Sequence, residues 1–175
     1  MRYNFVMKII LGLGNPGMEY TNTRHNAGVL FVDYLASRSQ ELGASPYGWR
    51  REKNKMVFKS SDFTLIKTVD TFMNESGQLI ANSYTLASNS FYLAHDDLDL
   101  KLGEYKIQRL KGPKVHRGVE SVENALGTKD FWRIRIGVDN RANPIPGEEY
   151  VLQKFSLEER ETLNKVFEKI CSGLI

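Results

Sequence analysis

The chain has 175 residues, of which 41% are hydrophobic and 26% charged, and its net charge is +3. That is the usual size of one domain, enough to bury a sizeable core, and the composition is that of a soluble globular protein. No apolar run reaches the roughly 18 residues of a membrane span, the opening residues lack the features of a signal peptide, and a lone Cys171 excludes an internal disulfide, so a cytoplasmic setting is expected.

One domain over residues 1–175 is expected, since there is no repeat, low-complexity tract or Pro-rich linker; residues 1–6 read as a short extension before the first strand. The run at 7–13 ends in glycines, as a buried strand does. Residues 27–42 carry Val29, Leu30, Val32, Leu35 and Ala36 at helical spacing, with Gly43 as the stop. Residues 55–60 and 63–69 predict a hairpin, 76–87 a helix, 90–95 a short apolar strand and 104–110 a more exposed strand. Residues 118–126 predict a helix stopped by Gly127. Residues 131–138 alternate, with Arg133 and Arg135 on one face and Trp132, Ile134 and Ile136 on the other. Ser156-Leu157-Glu158-Glu159 is a capping box opening a last helix to about Cys171. Strands alternating with helices predict an α/β fold, with a twisted, mixed but largely parallel sheet flanked by helices.

In such sheets ligands bind beyond the carboxyl ends of the strands. Asn15 follows the first strand, Asn74 follows the strand ending near Val69, and Asp96 follows the strand ending at His95. His25 precedes the first helix on the same edge. Singly, each residue has an ordinary reading: His25 as helix support, Asp96 to Asp99 as a turn, Asn74 as an N-cap, Asn15 as a turn residue. Together they suit hydrolysis. A histidine takes a proton from water near neutral pH, an aspartate fixes its tautomer, and amides hold a water or an oxyanion. His95 alternates away from Asp96 and reads as a buried histidine. No G-x-S-x-G elbow, H-E-x-x-H or paired C-x-x-C occurs, so attack by an activated water is expected, with no metal and no cofactor. The string Gly12-Leu13-Gly14-Asn15-Pro16-Gly17 fits a dinucleotide fingerprint, but no apolar helical stripe follows it and the acidic residue expected about 20 positions on is missing.

These residues resemble the bacterial peptidyl-tRNA hydrolase family. The similarity rests on Gly12-Leu13-Gly14-Asn15-Pro16-Gly17 with Tyr20, Thr23-Arg24-His25-Asn26-Ala27-Gly28, Thr71-Phe72-Met73-Asn74 with Ser76-Gly77, His95-Asp96-Asp97-Leu98-Asp99-Leu100 and Arg133-Ile134-Arg135-Ile136-Gly137, in family order. It implies a single mixed-sheet α/β domain that cleaves the ester between a peptide and the 3′ ribose of a tRNA. By position it makes His25 the general base and Asp96 its partner carboxylate. Asn15 becomes the amide that discriminates peptidyl-tRNA from aminoacyl-tRNA, while Asn74 joins the catalytic set on the strand-end reading of the two amides. Tyr20, Phe72 and Asn74 would contact the substrate at its ester end, with Met73 lining the same cleft.

Where the family has a Gly-rich stretch ending His-Asn-Gly, this chain has Lys111-Gly112-Pro113-Lys114-Val115-His116-Arg117-Gly118. His116 and Arg117 therefore occupy substrate-binding positions. A guanidinium has no acceptor and cannot orient a water as an amide does, but it can pair with a terminal phosphate. Pro113 should stiffen the loop, and the chain is expected to carry a shortened C-terminal helical region. Between Lys101 and Arg141 there are ten Lys and Arg against five Asp and Glu. That imbalance suits phosphate contacts, for which Lys106, Arg109, Arg133 and Arg135 are the candidates. The expected partner is the acceptor end of peptidyl-tRNA, with no membrane, and the protein is expected to be a monomer. The alternative is a catalytically weak relative that binds RNA through the same face.

Overall fold

The apolar run near the start forms strand β1 (Lys8–Gly12) in the computed structural model, which describes residues 7–43, 48–81 and 90–174. Helix α1 (Ala27–Glu41) follows, and Gly43 lies just past its end in a left-handed conformation. Then come β2 (Arg50–Glu52), β3 (Lys55–Lys59), β4 (Phe63–Thr68), β5 (Phe91–Lys101), β6 (Tyr105–Arg109), α2 (Arg117–Leu126), β7 (Trp132–Asp139), α3 (Gly147–Tyr150) and α4 (Leu157–Leu174). Short 3-10 turns occupy Met18–Tyr20, Arg24–Asn26 and Met73–Leu79.

The strands make one seven-stranded mixed sheet in the order β2-β3-β4-β1-β5-β7-β6. Parallel pairing is confined to the centre, where β4, β1, β5 and β7 run the same way, while β2, β3 and β6 are antiparallel to their neighbours. Adjacent residues of β1 point to opposite faces. Ile10 joins a core with Phe31, Val32 and Leu35 of α1 and Leu163, Phe167 and Ile170 of α4. Leu11 joins a second core with Val119 and Val122 of α2 and with Met73 and Leu79. Burying each such side chain is worth about 1.5–3 kcal/mol, so helices must cover both faces.

Helix α1 starts hard against the sheet. A Cβ on Gly28 would lie 2.2 Å from the Ala94 carbonyl oxygen and 2.6 Å from the Leu13 nitrogen, so only glycine fits there. That approach seats the residues just before α1 over the carboxyl ends of β1 and β5. At the other end of the chain the capping box forms. Ser156 Oγ accepts from the Glu159 amide at 3.2 Å, and Glu159 Oε2 accepts from the Ser156 amide at 2.8 Å. Helix α4 runs on past Cys171, whose thiol burial pushes up to about 11.

Two sequence expectations change, and one strand was unforeseen. Strand β5 runs to Lys101 rather than stopping at His95, because β7 pairs with it as far as Asp97, and again at Lys101 after an irregularity. Asp96 therefore sits within a strand, not after one. Strand β2 is an exposed Arg-Arg-Glu edge with no apolar alternation to reveal it. The helix expected at 76–87 begins within the 3-10 turn Met73–Leu79, and its part at 82–87 lies outside the described residues, as does the extension at 1–6.

Candidate active site

In β1 and its neighbours, Gly12 pairs with Lys67 of β4 and Ala94 of β5, so the chain leaving β1 and β4 passes one rim, beside the further course of β5. Asn15, the segment at 72–74, Asp96 and His25 meet there. They line a cleft of about 810 Å³ that also includes Tyr20, Leu98, Asp99, residues 113–117, Gly147, Glu148, Glu149, Val151 and Leu152.

The Asp96 carboxylate is 2% exposed and lies between two imidazoles. His25 Nδ1 is 3.0 Å from its Oδ1 and 3.2 Å from its Oδ2, and His116 Nε2 is 2.8 Å from Oδ1. The tautomers follow from the partners. His116 is the N-cap of α2 and its Nδ1 accepts from the Val119 amide at 3.3 Å, so its proton is on Nε2, pointing at Asp96. A charged carboxylate only accepts, so His25 also donates from Nδ1. Its Nε2 is then a free base in the cleft, with no protein partner among the described residues.

Charge follows geometry. Burial disfavours an ionised Asp96, yet the two imidazoles outweigh it and hold the carboxyl well below the usual carboxylate range. For His25, burial opposes protonation, but the charge and hydrogen bond of Asp96 prevail over it and over the opposing charge of Arg117, raising the ring above its ordinary 6.5. His95 behaves differently. It is fully buried, donates from Nδ1 to the Asp96 carbonyl at 2.7 Å, and is pushed by burial down to about 3, so it stays neutral.

Asn15 is held from both sides. Its amide nitrogen donates to Asn26 Oδ1 at 2.9 Å, and Asn26 Nδ2 donates to the Asn15 carbonyl at 3.0 Å. Asn15 Oδ1 accepts from the Met73 amide at 2.9 Å, which leaves Nδ2 as a donor without a protein partner among the described residues. Phe72, not Asn74, caps the 3-10 turn, and Asn74 is exposed on the cleft. Tyr20 meets Phe72 edge to face, with ring centroids 6.4 Å apart. A Cβ on Gly118 would sit 2.4 Å from Met73 Sδ, so the start of α2 packs directly on the 72–74 segment.

His25 is fixed by the C-terminal part of the chain. Its amide donates to the Val151 carbonyl at 2.7 Å, and the Arg24 amide donates to the Gln153 carbonyl at 3.1 Å. The Arg24 guanidinium lies over the Tyr150 ring and binds both oxygens of Glu159, at 2.6 and 2.8 Å. The same Glu159 completes the capping box of α4, so one carboxylate joins the helix start to the histidine loop.

The donor atoms of His25, Asp96 and His116 lie within 4.8 Å of one another, a spacing that invites comparison with a metal site. Coordination would need bare nitrogens facing Asp96. The Val119 amide already occupies the other nitrogen of His116, so the cluster suits hydrogen bonding better than ligation.

Two of the phosphate candidates are corrected. Arg133 is fully buried, with Nη2 2.6 Å from Glu123 of α2, and Arg135 is 8% exposed, with Nε 2.6 Å from Asp97. The alternation in β7 separated the two faces correctly, but Glu123 of α2 and Asp97 of β5 take up the two arginines. Arg109 pairs with Asp130 on the surface and Lys106 is exposed on edge strand β6; neither lines the cleft. The sequence reading missed the residues at 147–152, which carry no motif, and the bond between His116 and Asp96, which 20 residues separate.

Fold and site together define an α/β protein with a mixed sheet whose cleft joins an imidazole to a carboxylate, with no serine, threonine or cysteine in the described lining. The peptidyl-tRNA hydrolase family matches residues 9–175, and the chain belongs to that family of ester hydrolases. Curated relatives named peptidyl-tRNA hydrolase include those of Thermotoga maritima, 35% identical over 95% of this chain and 88% of the relative. The Bacillus cytotoxicus protein is 36% identical over 95% and 90%. That of Aquifex aeolicus is 37% identical over 93% and 85%. The crystal structure of peptidyl-tRNA hydrolase from Acinetobacter baumannii superposes with a TM-score of 0.77 at 27% identity, over 96% of this chain and 86% of that one. A complex of peptidyl-tRNA hydrolase with N-propanol gives 0.79 at 27% identity, over 93% and 83%. Among the described residues no helix is long and apolar enough to cross a membrane.

Proposed function

We propose that the chain hydrolyses the ester between the peptide and the 3′ ribose in peptidyl-tRNA, with His25 as general base. The observation that carries this is the bond of His25 Nδ1 to a buried Asp96 that His116 holds from the other side. Nε2 takes a proton from a water as its oxygen attacks the ester carbonyl. Asp96 stabilises the imidazolium that forms. The free Nδ2 of Asn15 and the amide of Asn74 donate to the oxyanion. Collapse breaks the bond to the ribose oxygen, which takes the proton from His25 Nε2. The products are a peptide acid and a tRNA with a free 3′ hydroxyl, and no covalent enzyme intermediate is required.

Tyr20, Phe72 and Met73 offer the terminal base an aromatic and apolar surface. Lys106 and Arg109 remain the surface cations for phosphates further along the acceptor arm. The reading places the protein in the cytoplasm, acting as a monomer. The test is single-turnover hydrolysis of a defined peptidyl-tRNA, with aminoacyl-tRNA as the control. Wild-type protein should release the peptide, and His25→Ala should lower the rate by about 10⁴-fold while retaining tRNA binding. Tight RNA binding by the wild type without release would favour the weak RNA-binding alternative instead.

A further inference from the structure

Two stretches of the cleft lining carry opposite charge. One, at 113–117, brings Lys114 and Arg117; the other, at 147–152, brings Glu148 and Glu149, both exposed. Lys114 Nζ is 3.9 Å from Asp99 Oδ1. Arg117 is exposed and has no hydrogen-bond or ion-pair partner among the described residues. It is the first residue of α2, directly after the His116 that binds Asp96, and its charge is close enough to His25 to oppose that ring's protonation. The ten residues of α2 point their positive end the same way.

We infer that Arg117 seats the phosphodiester one nucleoside away from the scissile ester, and so fixes the direction in which the polynucleotide lies in the cleft. The inference rests on the peptidyl-tRNA reading above. A guanidinium binds a phosphate through two parallel hydrogen bonds, and an unpaired one loses no existing partner in doing so. Glu148 and Glu149 repel phosphate from their stretch of the lining, so the chain of phosphates enters along 113–117. Because Gly118 packs on Met73, a phosphate at Arg117 leaves the attached nucleoside beside Phe72 and Tyr20. Arg117 thereby becomes a specificity residue for the polynucleotide side of the ester.

The experiment compares two esters of the same peptide, one on adenosine, which has no phosphate, and one on a cytidine-cytidine-adenosine trinucleotide. Values of kcat/KM are measured for the wild type, Arg117→Gln and Arg117→Lys over a range of salt concentrations, and melting curves check the fold. The wild type should prefer the trinucleotide ester. Arg117→Gln should shrink that preference by about tenfold, mostly through KM, and reduce the slope of log kcat/KM against log salt by about 0.7. Arg117→Lys should shrink it less, since charge survives and the fork is lost. An unchanged preference, or equal losses on both esters, would overturn the inference by assigning Arg117 no role or a role at the ester itself. Failure of the wild type to cleave either ester would sink the peptidyl-tRNA reading, and this inference with it.

Discussion

Replacing Asp96 with Asn is the sharpest test of the active-site chemistry, because it changes one atom at a shared contact. In the wild type, Oδ1 accepts from both imidazoles, at 3.0 and 2.8 Å, and Oδ2 lies 3.2 Å from His25 Nδ1. His116 cannot change tautomer without setting its Nδ1 proton against the Val119 amide. It therefore keeps Oδ1, and the new Nδ2 falls where Oδ2 was, 3.2 Å from His25 Nδ1, so one of the two atoms that accepted from this ring becomes a donor. That N–H favours the tautomer in which His25 Nδ1 accepts and the proton sits on Nε2, which takes the base out of the cleft. Any imidazolium also loses its counter-charge. The expected fall in kcat is about 10³- to 10⁴-fold, or about 4–5.5 kcal/mol of barrier.

The pH profile adds a second reading. The Asp96 charge helps to raise His25 above 6.5, and only the neutral ring is a base. Wild-type activity should therefore be lost as pH falls through a value above 6.5. In Asp96→Asn the residual acid limb should move to lower pH. The assay is single-turnover peptide release from pH 5 to 9, on protein whose near-UV spectrum and melting curve match a folded state. A loss below about tenfold, or an acid limb that stays in place, would refute the assigned tautomers and the pairing they rest on.

Two other changes probe the surroundings. Asn15→Asp keeps the acceptor for the Met73 amide but removes the free Nδ2 donor and adds a negative charge near His25; kcat should fall by about 10²-fold and the acid limb should rise, measured in the same assay. His95→Gln tests stability: the native ring stays neutral down to about 3 while the unfolded ring protonates below about 6.5. The unfolded state thus binds the extra proton between these values, and the wild type should lose a few kcal/mol as pH falls through that window. Urea unfolding of the variant should show a shallower decline, and an identical decline would show that His95 contributes nothing to it.

Much of the local structure is written in short stretches of sequence. The glycine-ended run of β1, the helical stripe of α1 and the reciprocal Ser156–Glu159 cap each depend on neighbours within a few residues. The convergence of Asn15, His25 and Asn74 on one rim was foreseeable in a different way, from the rule that parallel strands put their carboxyl ends together, but it needs the long-range pairing of β1 with β4. Other features were hidden for definite reasons. The acidic residues after His95 look like a turn when read alone, yet β7 makes them part of β5, where Arg135 neutralises Asp97 and two imidazoles surround Asp96. Residues 147–152 carry no recognisable motif, because they form cleft wall by position and not by chemistry of their own.

By itself the sequence determined most of the element types, the α/β class and the chemistry available at the strand ends, because these follow from periodicity, caps and turn residues close along the chain. The tertiary structure decided which groups meet. Alternation in β7 separates Arg133 and Arg135 from Ile134 and Ile136, but period 2 is blind to what will cover each face; Glu123 of α2 takes Arg133 and Asp97 of β5 takes Arg135, and both became internal counter-ions rather than a phosphate surface. The spacing of His116 from Asp96 gives no sign that one ring would clamp the other's carboxylate. That contact exists because α2 packs on the Met73–Leu79 turn beside the rim, and its consequence is a fixed proton on His116 and a free nitrogen on His25.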